Sequence, residues 1–361
     1  MTGPRLLPLI VAIATVFTLF GTACSKVPEE PVKENNNSAP EADIKDEKPE
    51  IPEETGPEFV NPLTGEETDT DISGNRPCAF MINNIRIAQP QLGISKADII
   101  WEAPVEGGIT RMMAVFQDVS DVETIGSLRS SRHYYLDLAK AYDAIYIHAG
   151  GSERAYSDID TRGVSSIDGV RGSAPIFYRD EYRRSAMGYE HSLCTTGQLV
   201  TDYLPDCGYD LTHDSGYSVN MKFTEDGAPS AGSAASDITV DFGSGKTTSF
   251  SYDASDKSYY ASQYDAAYTD GNDDTQVSVK NVVVIQTSVW TMDDYGRLDM
   301  VLTGTGSGYF MSGGKYEEIT WSRADDDSQF EFTYADGSEV EYTVGQTYYC
   351  IISESGGVTF A

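Results

Sequence analysis

The chain has 361 residues, 40% of them hydrophobic, which is enough to bury the cores of about two domains. It carries 25 Lys and Arg against 57 Asp and Glu, a formal net charge of -32. This excess of negative charge opposes binding to nucleic acids and to anionic lipid headgroups, so no nucleic-acid partner is expected. Eleven of the fourteen arginines lie in residues 61–199, and we expect any anion recognition in that segment.

The first 24 residues have the pattern of a secretion signal. Arg5 precedes an uninterrupted apolar run over 6–20, which is shorter than the roughly 20 residues that span a bilayer. Small residues then lead to Cys24, a pattern that resembles a bacterial lipobox, although Gly21 stands where Leu is usual. We predict a signal peptide over 1–23 and lipidation at Cys24. The alternatives are a cleaved signal with an incidental cysteine, or an uncleaved anchor.

Residues 24–60 have the composition of a tether. They contain six prolines, many acidic residues and almost no aromatic ones, so they cannot bury enough apolar surface to fold. A lipid anchor at Cys24 followed by a disordered acidic linker predicts a folded body at the outer face of the cytoplasmic membrane.

The folded part is predicted to be mixed α+β, with an α/β domain over 61–206. Ser130 or Ser131 is a candidate N-cap for a helix over 130–142, and Ser152 for a second one over 153–159. The Gly107-Gly108 pair predicts a tight reversal between two strands. Strands are expected at 78–82, 98–101, 110–116 and 144–148.

Residues 236–361 are predicted to form an all-β C-terminal domain, after inter-domain loops over 207–235. Short alternating stretches separated by Gly, Asp and Ser are typical of strands, and Gly313-Gly314 and Asp336-Gly337 mark two hairpins. The expected strands are 238–242, 247–252, 258–264, 282–287, 298–303, 308–311, 319–322, 329–334, 339–344 and 347–352.

Several motifs together resemble the YerB-type lipoprotein family, known as domain of unknown function 3048, over about 61–355. The N-terminal motifs are Asn-Pro-Leu-Thr-Gly at 61–65, Gly-Ile-Ser-Lys-Ala-Asp at 93–98, Trp-Glu-Ala-Pro-Val-Glu-Gly-Gly-Ile-Thr-Arg at 101–111, Ile-Gly-Ser-Leu-Arg-Ser-Ser-Arg at 125–132, and His-Ala-Gly-Gly-Ser at 148–152. Lys-Asn-Val-Val-Val at 280–284 is similar to the C-terminal domain of the family.

This resemblance implies a mixed N-terminal domain and a β-rich C-terminal domain on a membrane-anchored tether, but it implies no established reaction. The chain departs from the family where His-Asn-Leu-Tyr-Thr is usual, because residues 191–195 read His-Ser-Leu-Cys-Thr. Tyr268 likewise stands where the family usually has His.

Glu102 and Glu106 are the candidate catalytic pair, with His148 in support. Two carboxylates at the end of one strand can divide the acid and base roles of glycoside cleavage when their pKa values differ. Salt bridges to arginines are the competing interpretation of the two glutamates, and a hydrogen bond into the core is that of His148.

Arg111, Arg129 and Arg132 are the strongest candidates for binding an anion. Guanidinium groups bind carboxylate or phosphate bidentately, and two of these arginines flank a predicted helix N-terminus, which also favours anions. Pairing with Glu102, Glu106 and Asp137 explains them equally well. The complete candidate ligand-binding set is Arg111, Arg129, Arg132, Asp137, Ser152, Arg179 and His191.

No cofactor and no metal site are predicted. The chain has no Gly-x-Gly-x-x-Gly segment and no His-Glu-x-x-His spacing. Cys194 and Cys207 are close enough in sequence to form a disulfide outside the membrane, whereas Cys78 and Cys350 lie in apolar runs typical of buried thiols.

These observations favour a cell-surface lipoprotein that binds a cell-wall-related ligand or an envelope partner protein through an Arg/Glu/His pocket. The alternative is a peptidoglycan-acting hydrolase or lyase that uses Glu102 or Glu106. A purely structural spacer explains the tether but not the concentration of arginines.

Overall fold

A computed structural model describes residues 58–243 and 245–361, all within one compact unit. The predicted signal peptide, Cys24 and nearly all of the predicted linker lie outside the described residues. The strands are β1 (Cys78–Asn84), β2 (Ile99–Val105), β3 (Ile109–Phe116), β4 (Ile125–Gly126), β5 (Ile145–His148), β6 (Ser166–Asp168), β7 (Tyr178–Arg179), β8 (Leu193–Thr195), β9 (Phe223–Thr224), β10 (Ser233–Ala234), β11 (Asp237–Asp241), β12 (Thr247–Asp253), β13 (Ser258–Gln263), β14 (Ala266–Ala267), β15 (Ser278–Val279), β16 (Asn281–Thr287), β17 (Val289–Thr291), β18 (Leu298–Met300), β19 (Gly304–Ser312), β20 (Lys315–Arg323), β21 (Glu331–Thr333), β22 (Tyr342–Thr343), β23 (Thr347–Ser353) and β24 (Gly357–Phe360). The α-helices are α1 (His133–Ala141), α2 (Glu153–Arg162), α3 (Glu181–Ala186) and α4 (Gly197–Tyr203).

One eleven-stranded sheet runs through both halves of the chain. Its order is β10-β20-β19-β16-β23-β2-β3-β1-β5-β6, with β21 paired to β20. The join between the halves is a parallel pairing of β2 with β23, in which Glu102 is in register with Cys350. The fold is therefore mixed and rich in strands, and a division into a separate α/β domain and a separate all-β domain is not confirmed.

The two faces of this sheet are covered by different layers. A six-stranded sheet, β14-β13-β12-β11-β24 with β15 on β13, packs over one face, and α1 packs over the other. Successive residues of β1 alternate between the two cores, with Phe80 and Ile82 on the first face and Ala79 and Met81 on the second. Because both faces are buried, the central strands are continuous apolar runs.

Most of the predicted local features are present, but neither Ser130 nor Ser131 caps the first helix. α1 begins at His133, its N-cap is Arg132 with no side-chain capping hydrogen bond, and the Ser131 hydroxyl instead accepts a hydrogen bond from Tyr146 OH. The Ser152 hydroxyl caps α2 by accepting a hydrogen bond from Ala155 N at 3.2 Å. Gly107 and Gly108 have φ of 80° and 71°, and they turn the chain from β2 into β3. The Gly313-Gly314 pair joins β19 to β20. Across residues 58–243 and 245–361, no helix combines the length and the apolar character needed to cross a membrane.

The four cysteines of the described chain are free thiols, so the disulfide considered between Cys194 and Cys207 is not formed in this structure. Burial raises the pKa of the Cys194 thiol to about 12, which keeps it protonated and poorly nucleophilic. Cys78 and Cys350 are buried, as predicted.

Candidate functional site

Glu102 is completely buried between the two sheets. Its Oε1 accepts hydrogen bonds from Asn84 Nδ2 at 2.9 Å and Thr110 Oγ1 at 2.5 Å, and it lies 3.0 Å from Lys246 Nζ. Its Oε2 accepts hydrogen bonds from Thr248 Oγ1 at 2.8 Å and Tyr348 OH at 2.7 Å. With 0% of its surface exposed, this carboxylate has no access to an external substrate.

Glu106 occupies a different environment, in the turn after β2. Its carboxylate makes a bidentate ion pair with Arg132, and Oε1 lies 3.7 Å from Arg111 Nη2. Burial raises the pKa of the Glu106 carboxyl, but the hydrogen bonds from Arg132 and the charges of both arginines outweigh it, so the net pKa is lowered. The side chain is 19% exposed, so it can be reached from solvent.

The predicted catalytic pair is therefore separated. Glu102 faces the six-stranded sheet, whereas Glu106 contacts Arg111 and Arg132 beside α1. The cause is the turn, because the two-residue period of a strand would place residues four apart on the same face. β2 ends at Val105, and the turn that begins at Glu106 directs its carboxylate to the opposite side of the sheet. The two groups do not face a common glycosidic bond, and the geometry does not favour paired-carboxylate hydrolysis.

Arg111, Arg129 and Arg132 converge. Arg111 is 5% exposed and donates from Nη1 to Ser130 O at 2.6 Å. Burial lowers the pKa of its guanidinium to about 10, the positive charges of Arg132 and Arg129 act in the same direction, and Glu106 opposes them. The three arginines are thus close enough to affect one another, as the sequence hypothesis required.

Arg129 connects this group to His191. Its Nη2 donates to Glu190 Oε2 at 2.8 Å, and Glu190 Oε1 lies 3.4 Å from His191 Nε2. Asn83 Nδ2 is 2.8 Å from His191 Nδ1. Burial lowers the pKa of His191, and the charge of Arg129 adds to that effect while Glu190 opposes it, so the imidazole is predominantly neutral at pH 7.

His148 and Ser152 lie in the turn next to these arginines and have structural contacts. His148 is fully buried; its Nδ1 donates to Gly150 O, and its Nε2 lies near Ser166 Oγ, both at 2.8 Å. Burial lowers the pKa of His148. Ser131 donates its backbone N–H to Gly150 O, which joins this turn to the arginine-bearing segment.

Two of the candidate ligand-binding residues lie elsewhere. Asp137 pairs with Arg162, and its backbone carbonyl accepts from Arg323 Nη2 at 2.6 Å, so it ties α1 to α2 and to the end of β20. Arg179 stacks on the ring of Tyr189 at 3.9 Å and donates to the carbonyl of the same residue.

Lys246 and Asn84 are partners of Glu102 that sequence reasoning missed. Lys246 follows a Gly-Ser-Gly stretch before β12, where a lysine is ordinarily solvated, yet it is 5% exposed. No local pattern distinguishes it, because its burial depends on the six-stranded sheet packing over β2. Within the described ranges, no cluster of three or more His, Cys, Asp or Glu side chains has the geometry of a metal site.

Comparison with known proteins identifies relatives along most of the chain. Residues 63–210 match the N-terminal domain, and residues 238–349 the C-terminal domain, of the family described as "Protein of unknown function (DUF3048)". A Bacillus subtilis (strain 168) protein named "Putative lipoprotein YerB" is 29% identical over 273 residues, which are 75% of this chain and 80% of that protein. The crystal structure of YerB from Bacillus subtilis superposes with a TM-score of 0.73 at 26% identity, covering 83% of this chain and 99% of that one. The chain belongs to the YerB-type DUF3048 family.

Proposed function

We propose that this protein is a membrane-anchored lipoprotein of the cell envelope that binds an anionic group of a cell-wall-related ligand or an envelope partner protein. The binding site is the cluster formed by Glu106, Arg111, Arg129 and Arg132, here called the arginine cluster. The anionic group is a carboxylate or a phosphate, because both match the planar donor geometry of guanidinium groups.

The observation that carries the proposal is the excess of positive charge in this cluster. Three guanidinium groups are near one another, while their carboxylate contacts are Glu106 and Glu190. The ion pair of Arg111 with Glu106 is long, at 3.7 Å, because the Glu106 carboxylate is occupied by Arg132. A further anion would therefore interact favourably with the buried Arg111 guanidinium, in a protein whose net charge is -32.

Membrane anchoring is supported by the lipobox-like sequence at Cys24 and by the lipoprotein name of the Bacillus subtilis relative. Cys24→Ala is expected to move the protein from the membrane fraction to the soluble fraction of fractionated cells. Continued membrane retention of a signal-cleaved Cys24→Ala protein would contradict lipidation.

Binding is tested with the full chain in detergent micelles and purified wall sacculi. Sacculi are expected to retain the protein, and inorganic phosphate is expected to compete. The Arg111→Met/Arg132→Met variant should lose about 10–100-fold in affinity, the value of one or two charged hydrogen bonds. Arg297→Met is the matched control, since Arg297 pairs with Asp293 at 2.9 Å on a surface hairpin.

Unchanged retention of the double variant would overturn the assignment of the site. Soluble muropeptides released from the sacculi by the wild type, and absent with Glu106→Gln, would instead support the hydrolase alternative. That result would require Glu106 to act without Glu102.

A further inference from the structure

Glu102, Lys246 and Asn84 form a buried triad that lies apart from the arginine cluster. Their residues are 0%, 5% and 1% exposed, respectively. A buried charge normally has its hydrogen-bonding capacity satisfied by partners. One oxygen of the Glu102 carboxylate contacts both the Lys246 amine and the Asn84 carboxamide. An amine can react with a carboxamide when a neighbouring carboxylate carries the proton.

The geometry brings a nucleophile next to an electrophile. Lys246 Nζ is 3.0 Å from Glu102 Oε1, and Asn84 Nδ2 donates to the same oxygen at 2.9 Å. The amine and the carboxamide are therefore held within two hydrogen-bond lengths of each other, across the junction between the two sheets. Such fixed proximity is what makes an otherwise slow reaction between two side chains feasible.

The surroundings exclude water and position the amine. Lys246 Nζ donates to Thr247 O at 2.9 Å and to Thr248 Oγ1 at 2.8 Å. The rings of Tyr264 and Phe242 lie 5.1 Å and 5.6 Å from the same nitrogen. Water cannot readily compete with the lysine amine for the carboxamide carbon at such a site.

The Asn84 carboxamide also has an unoccupied acceptor. Its Nδ2 also donates to Thr110 Oγ1 at 2.8 Å, but its buried Oδ1 accepts no hydrogen bond within the described residues, a state that it shares with the carboxamide oxygens of Gln91, Gln117 and Gln263. What sets Asn84 apart from those three is the lysine amine next to it. Attack on the carboxamide carbon places negative charge on Asn84 Oδ1. Because this oxygen accepts no hydrogen bond within the described residues, it can accept a proton.

We propose that Lys246 and Asn84 become joined by an intramolecular amide bond, with Glu102 carrying the proton. Glu102 accepts a proton from the Lys246 ammonium group, and the neutral amine attacks the Asn84 carboxamide carbon. The new bond joins Lys246 Nζ to Asn84 Cγ, and the bond from Cγ to Nδ2 breaks. Glu102 returns its proton to the departing nitrogen, which leaves as ammonia, and then accepts the second proton of the attacking nitrogen, so that a neutral amide remains. Transfer of that proton to ammonia regenerates the carboxylate and releases ammonium. The reaction exchanges one carbon–nitrogen bond for another and needs no oxidant or cofactor.

The consequence is a covalent link between the end of β1, in the large sheet, and the segment that enters β12, in the six-stranded sheet. These two sheets are otherwise held together by side-chain packing and by hydrogen bonds such as those from Thr248 to Glu102 and from Tyr264 to the Asn84 carbonyl. A cross-link that closes a loop this long constrains the unfolded chain strongly. It would suit the proposed surface lipoprotein, because the cysteines of the described residues are free thiols.

The test is peptide mapping of the full chain, purified from membranes, denatured and digested with trypsin. The peptide containing Asn84 is expected to be joined to the one containing Lys246, lighter by one ammonia, with no cleavage after Lys246. The Asn61 side chain, which donates to Asp98 Oδ1 at 2.9 Å, provides an unmodified internal reference. Separate peptides with an intact Asn84 and normal cleavage after Lys246 would overturn the proposal.

Variants identify the roles of Glu102 and Asn84. Glu102→Gln should abolish the joined peptide, and circular dichroism establishes that the variant is folded. The single variant Asn84→Asp should give the same joined product, with loss of water instead of ammonia. Lys280→Met is the matched control, because Lys280 Nζ binds Ser258 Oγ at 2.9 Å in the same sheet, and it should leave the joined peptide unchanged. A joined peptide that persists in folded Glu102→Gln would overturn the assigned role of Glu102.

Discussion

Strand β2 and the turn after it carry two glutamates with opposite environments. Glu102 is fully buried, matched by a single cation, Lys246, and both of its oxygens accept hydrogen bonds. Glu106 is partly exposed and shared by two arginines. Two residues of the same type, close in sequence, therefore need not have the same role. A fully buried carboxylate whose oxygens are all hydrogen-bonded stabilises the fold. A partly exposed carboxylate shared by two arginines leaves positive charge that can bind an anion.

The largest expected effect comes from replacing Lys246. Lys246→Met should lower the free energy of unfolding by about 3–5 kcal/mol, because the variant cannot form the amide bond to Asn84 and leaves the Glu102 carboxylate buried beside no cation. Urea denaturation followed by circular dichroism measures this. The double variant Glu102→Gln/Lys246→Met should recover part of the loss. If Lys246→Met lowers the free energy of unfolding by less than about 1 kcal/mol, the value typical of an exposed ion pair, then Lys246 does not stabilise a buried carboxylate as proposed.

Asp98 is another buried carboxylate, and it shows the effect of burial on a group whose hydrogen-bond donors are neutral. Burial raises its pKa from 3.8 to about 7, against hydrogen bonds from Gln117 N and Asn61. The folded state then holds a proton that the unfolded state releases between pH 4 and 7. Its contribution to stability is present at about pH 4 and is lost as the pH rises toward 7, by about 2–4 kcal/mol.

Asp98→Asn should flatten this part of the pH profile of the free energy of unfolding. Glu106→Gln provides the opposite sign, since the lowered pKa of Glu106 makes its contribution present at neutral pH and lost in acid. A wild-type profile that does not fall between pH 4 and 7, and is unchanged by Asp98→Asn, would contradict a buried titrating Asp98.

The smallest effect on stability is expected from Glu106→Gln in the arginine cluster. The same change should strengthen the binding of anions. Glu106→Gln removes the carboxylate shared by Arg111 and Arg132 and should lower the free energy of unfolding by about 1.5–3 kcal/mol. The added positive charge should increase affinity for inorganic phosphate, measured by calorimetry. Glu190→Gln, at a 62% exposed side chain, is the control and should change stability by less than about 1 kcal/mol. Weaker phosphate binding by Glu106→Gln would break the proposed distinction between the two glutamates.

Much of the local structure could be predicted from residues alone. The central strands are recognisable because burial on both faces makes them apolar throughout, and the paired glycines at 107–108 and 313–314 mark real turns. The cap at Ser152 was likewise predictable, since its hydroxyl acts only three residues along the chain. The arginine cluster was predictable in part, because Arg129 and Arg132 are close in sequence and flank one helix start.

Pairings between distant segments could not be predicted from the sequence. The predicted division into two separate domains is not confirmed, because β2 and β23 pair within one sheet, and this parallel pairing has no local signature since its strands are far apart in sequence. Glu102 and Glu106 were expected to act together, yet the turn that begins at Glu106 places them on opposite sides of the sheet. Lys246 was overlooked, since its loop resembles any solvated turn.

The residues alone were enough to identify the family, the positions of most central strands, a lipobox-like motif at Cys24, and the concentration of arginines within residues 61–199. The pairing of each carboxylate with its cation, and the single sheet that joins the two halves, follow only from the complete fold. The physical reason is that hydrophobic periodicity records whether a residue is buried, whereas the identity of its partner depends on contacts between segments that only the complete fold brings together.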